Sequence, residues 1–403
     1  ALADGESSIS GFLRSDDCIR TLGALANLGA VVEDDGETIK IHGVSGRMTS
    51  PGCVIDMGNS GTGIRLISGL LAGQQITVEL TGDESLRSRP MDRIKVPLEM
   101  MGAVVDLKGH GGCAPIRIKG GHLHGISYKL PVASAQIKSC ILMAGLFADG
   151  ITEVVEPRAT RDHTEIAMRL MDINVSVVGK AIRIEGYGTH PPHLLARQWR
   201  VPGDFSSSAF WIAAAAGHEG SELTVKNVGL NPRRTAMLNI LRRMGADIDI
   251  RLDEDVGDGG EPAGTITVRG HFLEGTEISG DEIPNVIDEL PVIAAIGSVS
   301  NGKTIIRDAS ELRVKESDRI ATMLEGLIAL GVKAREMPDG LEIIGNAHIR
   351  GGCSVQSHGD HRIAMAMAIL STFADSAVAI EDVSCVGTSY PGFWDDMRRL
   401  TRL

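Results

Sequence analysis

Aromatic residues make up only 3% of this 403-residue chain, so it has few of the flat side chains on which single-stranded nucleic acids stack. The formal net charge is −12, and the chain therefore lacks the basic excess with which proteins wrap nucleic acid. It contains no apolar run long enough to span a bilayer, and its opening, ALADGESSIS, does not resemble a signal peptide. These absences predict a protein that binds neither nucleic acid nor membranes.

The six cysteines form no CxxC pair, and the cysteines and histidines show no spacing typical of zinc ligands. This predicts reduced thiols, a cytoplasmic protein and no metal site. The acidic total still allows a small anionic ligand, since a local group of arginines can outweigh the global charge.

A helical apolar run, followed by a glycine and an alternating strand, recurs along the chain. The copies are residues 64–80, 137–156, 209–228, 290–309 and 363–383, and the opening residues match the end of a further copy. The markers are Gly5, Gly73, Gly150, Gly220 and Gly302, with Ser376 in the sixth copy. Near-equal spacing of six copies predicts an α/β protein of two domains with three repeats each.

The predicted domains are residues 1–200 and 201–403. The boundary is placed in segment 189–204, because THPPHLLARQWRVPGD contains two adjacent prolines and precedes a new repeat.

A second kind of helix, which ends at a glycine before another strand, alternates with the first. Its copies are LGALANLGAVVE, PLEMMGAVVDL, NILRRMGADIDI and MLEGLIALGVKA. Glycine commonly ends a helix, because it adopts left-handed backbone angles without strain. The copy AMRLMDINVSVV lacks the glycine, and we expect its Ile-Asn pair to take that place.

Small and polar residues precede the first helix of the repeats. These starts are GNSGTG (58–63), ASAQIK (133–138), GDFSSSA (203–209), IDELP (287–291) and GDHRIA (359–364). Asp, Ser and Asn are good helix caps, but capping does not require Gln136, His361 or Arg362. Because free N–H groups attract anions at a helix start, these side chains predict small anionic substrates.

Charged segments supply further candidates. LRVKESDRIA (312–321) places Lys315 and Arg319 four residues apart, so we expect them to share a helix face near Glu316. GDESLRSRPMDRI (82–94) holds three arginines in a proline-containing loop, and TRDHTE places Arg161 ahead of a helix. A solvated surface is the simpler interpretation of each segment, whereas cations beside a carboxylate indicate an anion site with an acid/base group.

Seven motifs together resemble the 5-enolpyruvylshikimate-3-phosphate (EPSP) synthase family, the 3-phosphoshikimate 1-carboxyvinyltransferases. They are GNSGTGIR, RSRPMDR, ASAQIKS, TRDHTE, IDELP, LRVKESDR and GDHRIAM. The SAQIKS and TRDHTE forms resemble the bacterial branch that includes herbicide-tolerant enzymes. The resemblance implies the two-domain enolpyruvyl transferase fold, in which each domain is built from three βαβαββ units.

The resemblance also implies the reaction. The enolpyruvyl group of phosphoenolpyruvate moves to the 5-hydroxyl of shikimate 3-phosphate and phosphate is released, with no metal or organic cofactor. The implied catalytic residues are Asp288, Glu316 and His361. The implied phosphoenolpyruvate ligands are Asn59, Gly61, Thr62, Arg89, Gln136, Arg319 and Arg362. The implied shikimate 3-phosphate ligands are Ser134, Gln136, Arg161, Asp288 and Lys315.

The chain departs from the family pattern in three places. The family's Gly-Asp-Lys-Ser-x-Ser-x-x-Arg segment is absent, so we expect an N-terminal segment ahead of Ala1 and a weakened site without it. Thr388 stands where many relatives have a lysine. Gly61 stands where herbicide-tolerant members often have alanine, which predicts ordinary glyphosate sensitivity. A monomer is expected.

Three alternatives remain open. UDP-N-acetylglucosamine enolpyruvyl transferases share the implied fold, but they typically carry a cysteine in the loop where this chain has GDESLRSRP. A catalytically crippled fragment is expected if the N-terminal segment is truly absent. An RNA 3′-phosphate cyclase relative would have similar repeats, but the acidic net charge counts against it.

Overall fold

The structure is a computed structural model, and it describes residues 1–190, 192–253 and 260–401. Helices alternate with strands along the chain, which divides into two compact units. The first unit is Ala1–Val201, and the second begins at Pro202. Each unit has its own hydrophobic core.

The first unit contains five α-helices and fourteen strands among its described residues. The helices are α1 (Asp16–Asn27), α2 (Gly61–Ala72), α3 (Asp92–Met101), α4 (Ala135–Gly145) and α5 (His163–Leu170). The strands are β1 (Glu6–Ser10), β2 (Val31–Asp34), β3 (Thr38–His42), β4 (Ile55–Asp56), β5 (Thr77–Thr81), β6 (Val104–Leu107), β7 (Ile116–Lys119), β8 (Leu123–His124), β9 (Ser127–Lys129), β10 (Ala148–Asp149), β11 (Ile151–Val155), β12 (Val175–Val178), β13 (Ala181–Glu185) and β14 (Gln198–Arg200).

Three four-stranded sheets of this unit share one topology, in the orders β14-β1-β3-β2, β4-β5-β7-β6 and β9-β11-β13-β12. In each sheet the first pair is parallel and the other two pairs are antiparallel. The run β4-α2-β5-α3-β6-β7 is therefore one βαβαββ unit. In the first repeat, β14 from the far end of the unit supplies the parallel neighbour of β1.

Helices α2 and α4 pack directly against each other. At their crossing, a Cβ on Gly69 would lie 2.2 Å from the carbonyl oxygen of Cys140. Only glycine allows this close approach, because a side chain there would collide with the backbone of α4. The contact holds together the two helices that carry the predicted residues Thr62 and Gln136.

The second kind of helix ends at a left-handed residue in every copy. Gly29, Gly102, Gly245 and Gly331 have φ between 85° and 114°. In the copy without glycine, Asp172 takes this place with φ 62°, so the prediction of the Ile-Asn pair was wrong. Asp172 directly follows the last turn of α5, and its short polar side chain tolerates left-handed angles better than most residues do.

The second unit contains six α-helices and nine strands in the part that the structure describes. The helices are α6 (Phe205–Gly217), α7 (Ala236–Arg243), α8 (Leu290–Val299), α9 (Arg319–Ala329), α10 (His361–Ser371) and α11 (Phe393–Thr401). The strands are β15 (Glu222–Gly229), β16 (Asp247–Leu252), β17 (Ala263–Arg269), β18 (Glu277–Ile278), β19 (Lys303–Ile306), β20 (Lys333–Met337), β21 (Gly340–Ile344), β22 (Ser354–Gln356) and β23 (Ala379–Glu381).

The second unit repeats this sheet topology, but two of its three repeats are incomplete in the described ranges. The order β18-β19-β21-β20 forms a complete βαβαββ unit with α8 and α9. The fourth repeat begins with a single parallel bridge between Gly203 and Val228 instead of a strand, and the described residues of the sixth comprise only β22, α10, β23 and α11. Helices α6, α8 and α10 pack on one another in the core, which explains why most of their residues beyond the first turn are apolar on every face.

Candidate active site

The starts of α2 and α4 are capped as their sequences predict. Ser60 accepts a hydrogen bond from the backbone N–H of Gly63 (3.1 Å), and Ser134 accepts one from that of Ile137 (3.4 Å). These serines satisfy N–H groups that have no partner within a helix. Each start therefore has a defined geometry.

A chain of hydrogen bonds links the two helix starts. Gln136 Nε2 donates to Thr62 Oγ1 (2.8 Å), and Arg65 Nη1 donates to Gln136 Oε1 (2.8 Å). Arg65 also donates to the carbonyl oxygens of Gly61 (3.2 Å) and Pro90 (3.2 Å). Arg65 thus joins three of the predicted motifs, although no role was predicted for it.

Arg89 lies beside the start of α2 and is only 7% exposed. Its Nη2 donates to Asn59 Oδ1 and to Ser85 Oγ (3.2 Å), and Asn59 Nδ2 donates to Asp83 Oδ2 (2.8 Å). A Cβ on Gly61 would lie 2.8 Å from Arg89 Nη1, so glycine lets the guanidinium reach the first residue of the helix. The structure thus gathers five predicted residues, Asn59, Gly61, Thr62, Arg89 and Gln136.

Ser134 and Arg161 lie on neighbouring segments of the first unit. Ser134 precedes α4, and Arg161 is partly buried in the segment between β11 and α5. Side chains near the starts of the two helices α4 and α5 are joined, since Ser139 Oγ lies 2.6 Å from Thr164 Oγ1. Ser134 and Arg161, two of the predicted ligands of shikimate 3-phosphate, therefore stand on two segments that are tied together.

In the second unit, Arg319 gathers three carboxylates. It is 2% exposed, and its Nε lies 2.8 Å from Asp360 Oδ2. Its Nη2 lies 2.5 Å from Glu316 Oε2, and its Nη1 lies 3.4 Å from Asp288 Oδ1. Burial lowers the pKa of Arg319, but the charges of Asp360, Glu316 and Asp288 outweigh burial and raise it overall. The guanidinium therefore remains a cation.

Lys315 and Arg319 meet at Asp288, but they do not share a helix face as predicted. Asp318 caps α9 by accepting hydrogen bonds from two backbone N–H groups, so the helix begins only at Arg319. Lys315 lies before this cap in extended backbone. Its Nζ is 3.6 Å from Asp288 Oδ1, the same oxygen that Arg319 contacts.

His361 is the first residue of α10, directly after the buried cap Asp360. Burial, and then the positive charge of Arg362, lower the pKa of His361 to about 4. The imidazole is therefore neutral near pH 7. Near pH 7 the ring of His361 therefore adds no charge beside Glu316 and Arg319, whose charges also act on it.

Arg362 is held by a buried carboxylate. Its Nη1 lies 3.3 Å from Glu289 Oε1 and donates to the carbonyl oxygen of Asp288 (3.1 Å). Arg234 Nη1 lies 3.0 Å from Glu289 Oε2, and Ser206 Oγ donates to Glu289 Oε1 (2.6 Å). Glu289 thus fixes the guanidinium of Arg362 next to Asp288.

No role was predicted for several residues of these clusters, among them Arg65, Glu289 and Asp360. Arg65 and Asp360 stand inside the motifs GNSGTGIR and GDHRIAM. Glu289 was signalled by its position directly before the almost entirely apolar helix LPVIAAIGSV, since a carboxylate beside such a buried helix needs a charged partner. Which partners these residues meet depends on distant segments.

Two further properties concern the described ranges 1–190, 192–253 and 260–401. No group of three or more His, Cys, Asp or Glu side chains there could hold a metal ion. In the same ranges, every helix is too short or too polar to cross a membrane.

Comparison with known proteins identifies the family. Residues 1–397 match the family EPSP synthase (3-phosphoshikimate 1-carboxyvinyltransferase). The chain belongs to the EPSP synthase family. It is 45% identical over 403 residues to the 3-phosphoshikimate 1-carboxyvinyltransferase of Alkaliphilus metalliredigens, covering 100% of this chain and 93% of that protein. The enzyme of the same name from Desulforudis audaxviator is 47% identical over 395 residues, covering 98% and 90% of the two chains.

Solved structures agree with this assignment. An EPSP synthase from Acinetobacter baumannii superposes with a TM-score of 0.84 at 38% identity, covering 100% of this chain and 91% of that chain. The enolpyruvyl transferase NikO from Streptomyces tendae has a TM-score of 0.74 at 17% identity, covering 99% and 90%, a likeness of fold alone. These findings confirm the predicted α/β enolpyruvyl transferase fold and EPSP synthase activity in the shikimate pathway.

Proposed function

We propose that this chain transfers the enolpyruvyl group of phosphoenolpyruvate to the 5-hydroxyl of shikimate 3-phosphate and releases phosphate. The observation that carries the proposal is the contact of the buried Arg319 with Asp288, Glu316 and Asp360. Two of these carboxylates are the predicted acid and base. A buried cation that holds them both gives them the fixed positions that proton transfer to and from a substrate requires.

The chemistry is assigned to the second unit. Glu316, in its protonated form, donates a proton to C3 of phosphoenolpyruvate, Asp288 takes the proton of the 5-hydroxyl, and the hydroxyl oxygen bonds to C2. The tetrahedral intermediate then returns the C3 proton to Glu316, and the bond between C2 and the phosphate oxygen breaks. The proton on Asp288 leaves with the phosphate. His361 tunes the protonation of the neighbouring groups, and its own ring is neutral near pH 7.

The remaining roles are those of anion binding. Arginine suits phosphate and carboxylate groups, because its planar donors form paired hydrogen bonds with them. The proposed phosphoenolpyruvate ligands are Asn59, Gly61, Thr62, Arg89, Gln136, Arg319 and Arg362. The proposed shikimate 3-phosphate ligands are Ser134, Gln136, Arg161, Asp288 and Lys315.

The finer assignments are proposals as well. The SAQIKS and TRDHTE motifs support the branch that includes herbicide-tolerant enzymes, while Gly61 supports ordinary glyphosate sensitivity. All six cysteines are free, as is usual in a reducing compartment, which supports a cytoplasmic location. We propose a monomer of two domains, residues 1–200 and 201–403, that works without a metal or organic cofactor.

A phosphate-release assay tests the proposed function. Each substrate is omitted in turn, and UDP-N-acetylglucosamine replaces shikimate 3-phosphate in a parallel reaction. We expect phosphate only when phosphoenolpyruvate and shikimate 3-phosphate are both present. The absence of release at any substrate concentration, or equal release with the UDP-sugar, contradicts the proposal.

A further inference from the structure

Lys138 is completely buried in the first unit, on a helix face whose neighbours Ile137 and Ile141 are apolar. Its Nζ lies 2.7 Å from Glu165 Oε1 and 3.2 Å from Glu156 Oε1, and both carboxylates are also buried. Burying an ammonium group is costly even when it is paired, and an apolar side chain of similar size would avoid that cost. Stability alone therefore does not account for a lysine at this position.

The ion cluster of Lys138 joins two segments of the first unit. The lysine lies one turn into α4, where its backbone N–H donates to the carbonyl oxygen of Ser134 (3.2 Å). Glu156 directly follows β11, and Glu165 lies in the first turn of α5. The loop between these two carboxylates carries Arg161. One lysine thus anchors both ends of that loop to the start of α4.

The loop is also braced from within by Glu156. The backbone N–H of Thr160 donates to Glu156 Oε1 (3.2 Å), and the hydroxyl of Thr160 donates to the same oxygen. The oxygen that contacts Lys138 therefore also fixes the residue before Arg161. A shift of Lys138 would be passed to Arg161 through these contacts.

We infer that Lys138 is a positioning residue for shikimate 3-phosphate. Its ion pairs hold Ser134 and Gln136, at the start of α4, at a set distance from Arg161 on the loop. Because its side chain is fully buried, Lys138 acts through these residues and not by contact with the substrate. The inference rests on the proposed function, in which Ser134, Gln136 and Arg161 bind shikimate 3-phosphate.

Lys138→Met tests the inference, since methionine keeps the length of the side chain and removes its charge. We expect the KM for shikimate 3-phosphate to rise about tenfold, because small displacements of binding groups weaken binding strongly. The KM for phosphoenolpyruvate should rise by no more than about threefold, because Gln136 is the only one of its proposed ligands at the start of α4, and kcat should stay within about threefold. Steady-state kinetics with each substrate varied in turn measure both values.

Two further variants separate positioning from general stability. Ile141→Ala removes a fully buried apolar side chain from the same helix, so it should lower Tm but leave both KM values within about twofold. Glu165→Gln keeps the shape of the cluster and should raise the KM for shikimate 3-phosphate about threefold. Where Lys138→Met does not fold, Glu165→Gln alone decides. An unchanged KM in both cluster variants, or an equal rise in Ile141→Ala, overturns the inference.

Arg161→Met distinguishes this inference from the proposed function. If Arg161→Met raises the KM for shikimate 3-phosphate and the cluster variants do not, the inference fails and the proposed function stands. If Arg161→Met leaves that KM unchanged, the assignment of Arg161 as a ligand fails, and the inference fails with it.

Discussion

Arg89 in the first unit and Arg319 in the second are both deeply buried arginines, at 7% and 2% exposure. Arg89 donates to a neutral amide and a neutral hydroxyl, those of Asn59 and Ser85. Arg319 instead contacts the carboxylates of Asp288, Glu316 and Asp360. The same side chain thus stands in two different chemical settings.

The difference indicates a division of work. The amide oxygen of Asn59 and the hydroxyl of Ser85 orient the guanidinium of Arg89 beside the start of α2. Carboxylates around a guanidinium are brought close together in defined positions, which suits groups that move protons. We therefore assign anion binding to the contacts around Arg89 and proton transfer to the carboxylates that Arg319 holds.

The largest expected effect comes from Glu316→Gln. Glutamine keeps the shape and a contact with Arg319 but cannot donate a proton to carbon, so kcat should fall about 10²–10⁴-fold. The KM values should change little. Steady-state kinetics check this, with Glu325→Gln, an exposed glutamate on α9, as the matched control. An unchanged kcat would remove Glu316 from the catalytic residues.

Arg89→Ala tests the other side of the comparison. We expect kcat/KM for phosphoenolpyruvate to fall by the equivalent of about 2–5 kcal/mol in transition-state stabilisation, because a charged group of the substrate loses its partner in a buried site. Arg87→Ala, at an exposed neighbouring arginine, is the control and should have no such effect. A loss of less than about tenfold in Arg89→Ala would show that Arg89 does not bind the substrate.

The pKa of His361 makes the stability of the second unit depend on pH. Its value in the folded protein is lowered from 6.5 to about 4, so between these values the unfolded chain binds a proton that the folded chain does not. Stability should therefore fall as pH falls from 6.5 toward 4, by up to about 3 kcal/mol. Urea unfolding at pH 7, 6 and 5 measures it. His361→Gln should lose this part of the pH dependence, and an identical dependence in both proteins would contradict the lowered pKa.

Gly61→Ala should have the smallest effect. The added Cβ would lie 2.8 Å from Arg89 Nη1 and 3.1 Å from Arg65 Nη1, and both are ends of flexible side chains that can move. We expect the KM for phosphoenolpyruvate to rise about tenfold while Tm changes by less than about 2 °C. Gly23→Ala in α1, where a Cβ meets no atom within 4 Å, is the control. Unchanged kinetics in Gly61→Ala would mean that the two guanidinium groups need not approach this helix start.

Short-range signals in the sequence predicted much of the fold. The helix and strand that follow each other in every repeat, and the caps Ser60 and Ser134, depend on residues a few positions apart. The glycines at which the second kind of helix ends are also signals of this short-range type. Asp172 escaped prediction because several residue types can take left-handed angles at a helix end.

The partners within the site were harder to predict. Lys315 and Arg319 do contact one carboxylate, that of Asp288, which lies on a distant segment of the chain. They do not share a helix face. Nothing in the local spacing of LRVKESDR indicates that Asp360 completes the cluster. Similarly, β14 pairs with β1 although almost the whole sequence of the first unit separates the two strands. Such contacts follow from packing between segments, which periodicity does not report.

The most direct test of the division of work is the rate of phosphate release in Arg89→Ala and Glu316→Gln as phosphoenolpyruvate is raised, with shikimate 3-phosphate saturating. If Arg89 serves binding and Glu316 serves chemistry, high phosphoenolpyruvate restores most of the wild-type turnover in Arg89→Ala and none of it in Glu316→Gln. The same response in both variants would contradict the assignment of phosphoenolpyruvate binding to Arg89 and proton transfer to Glu316.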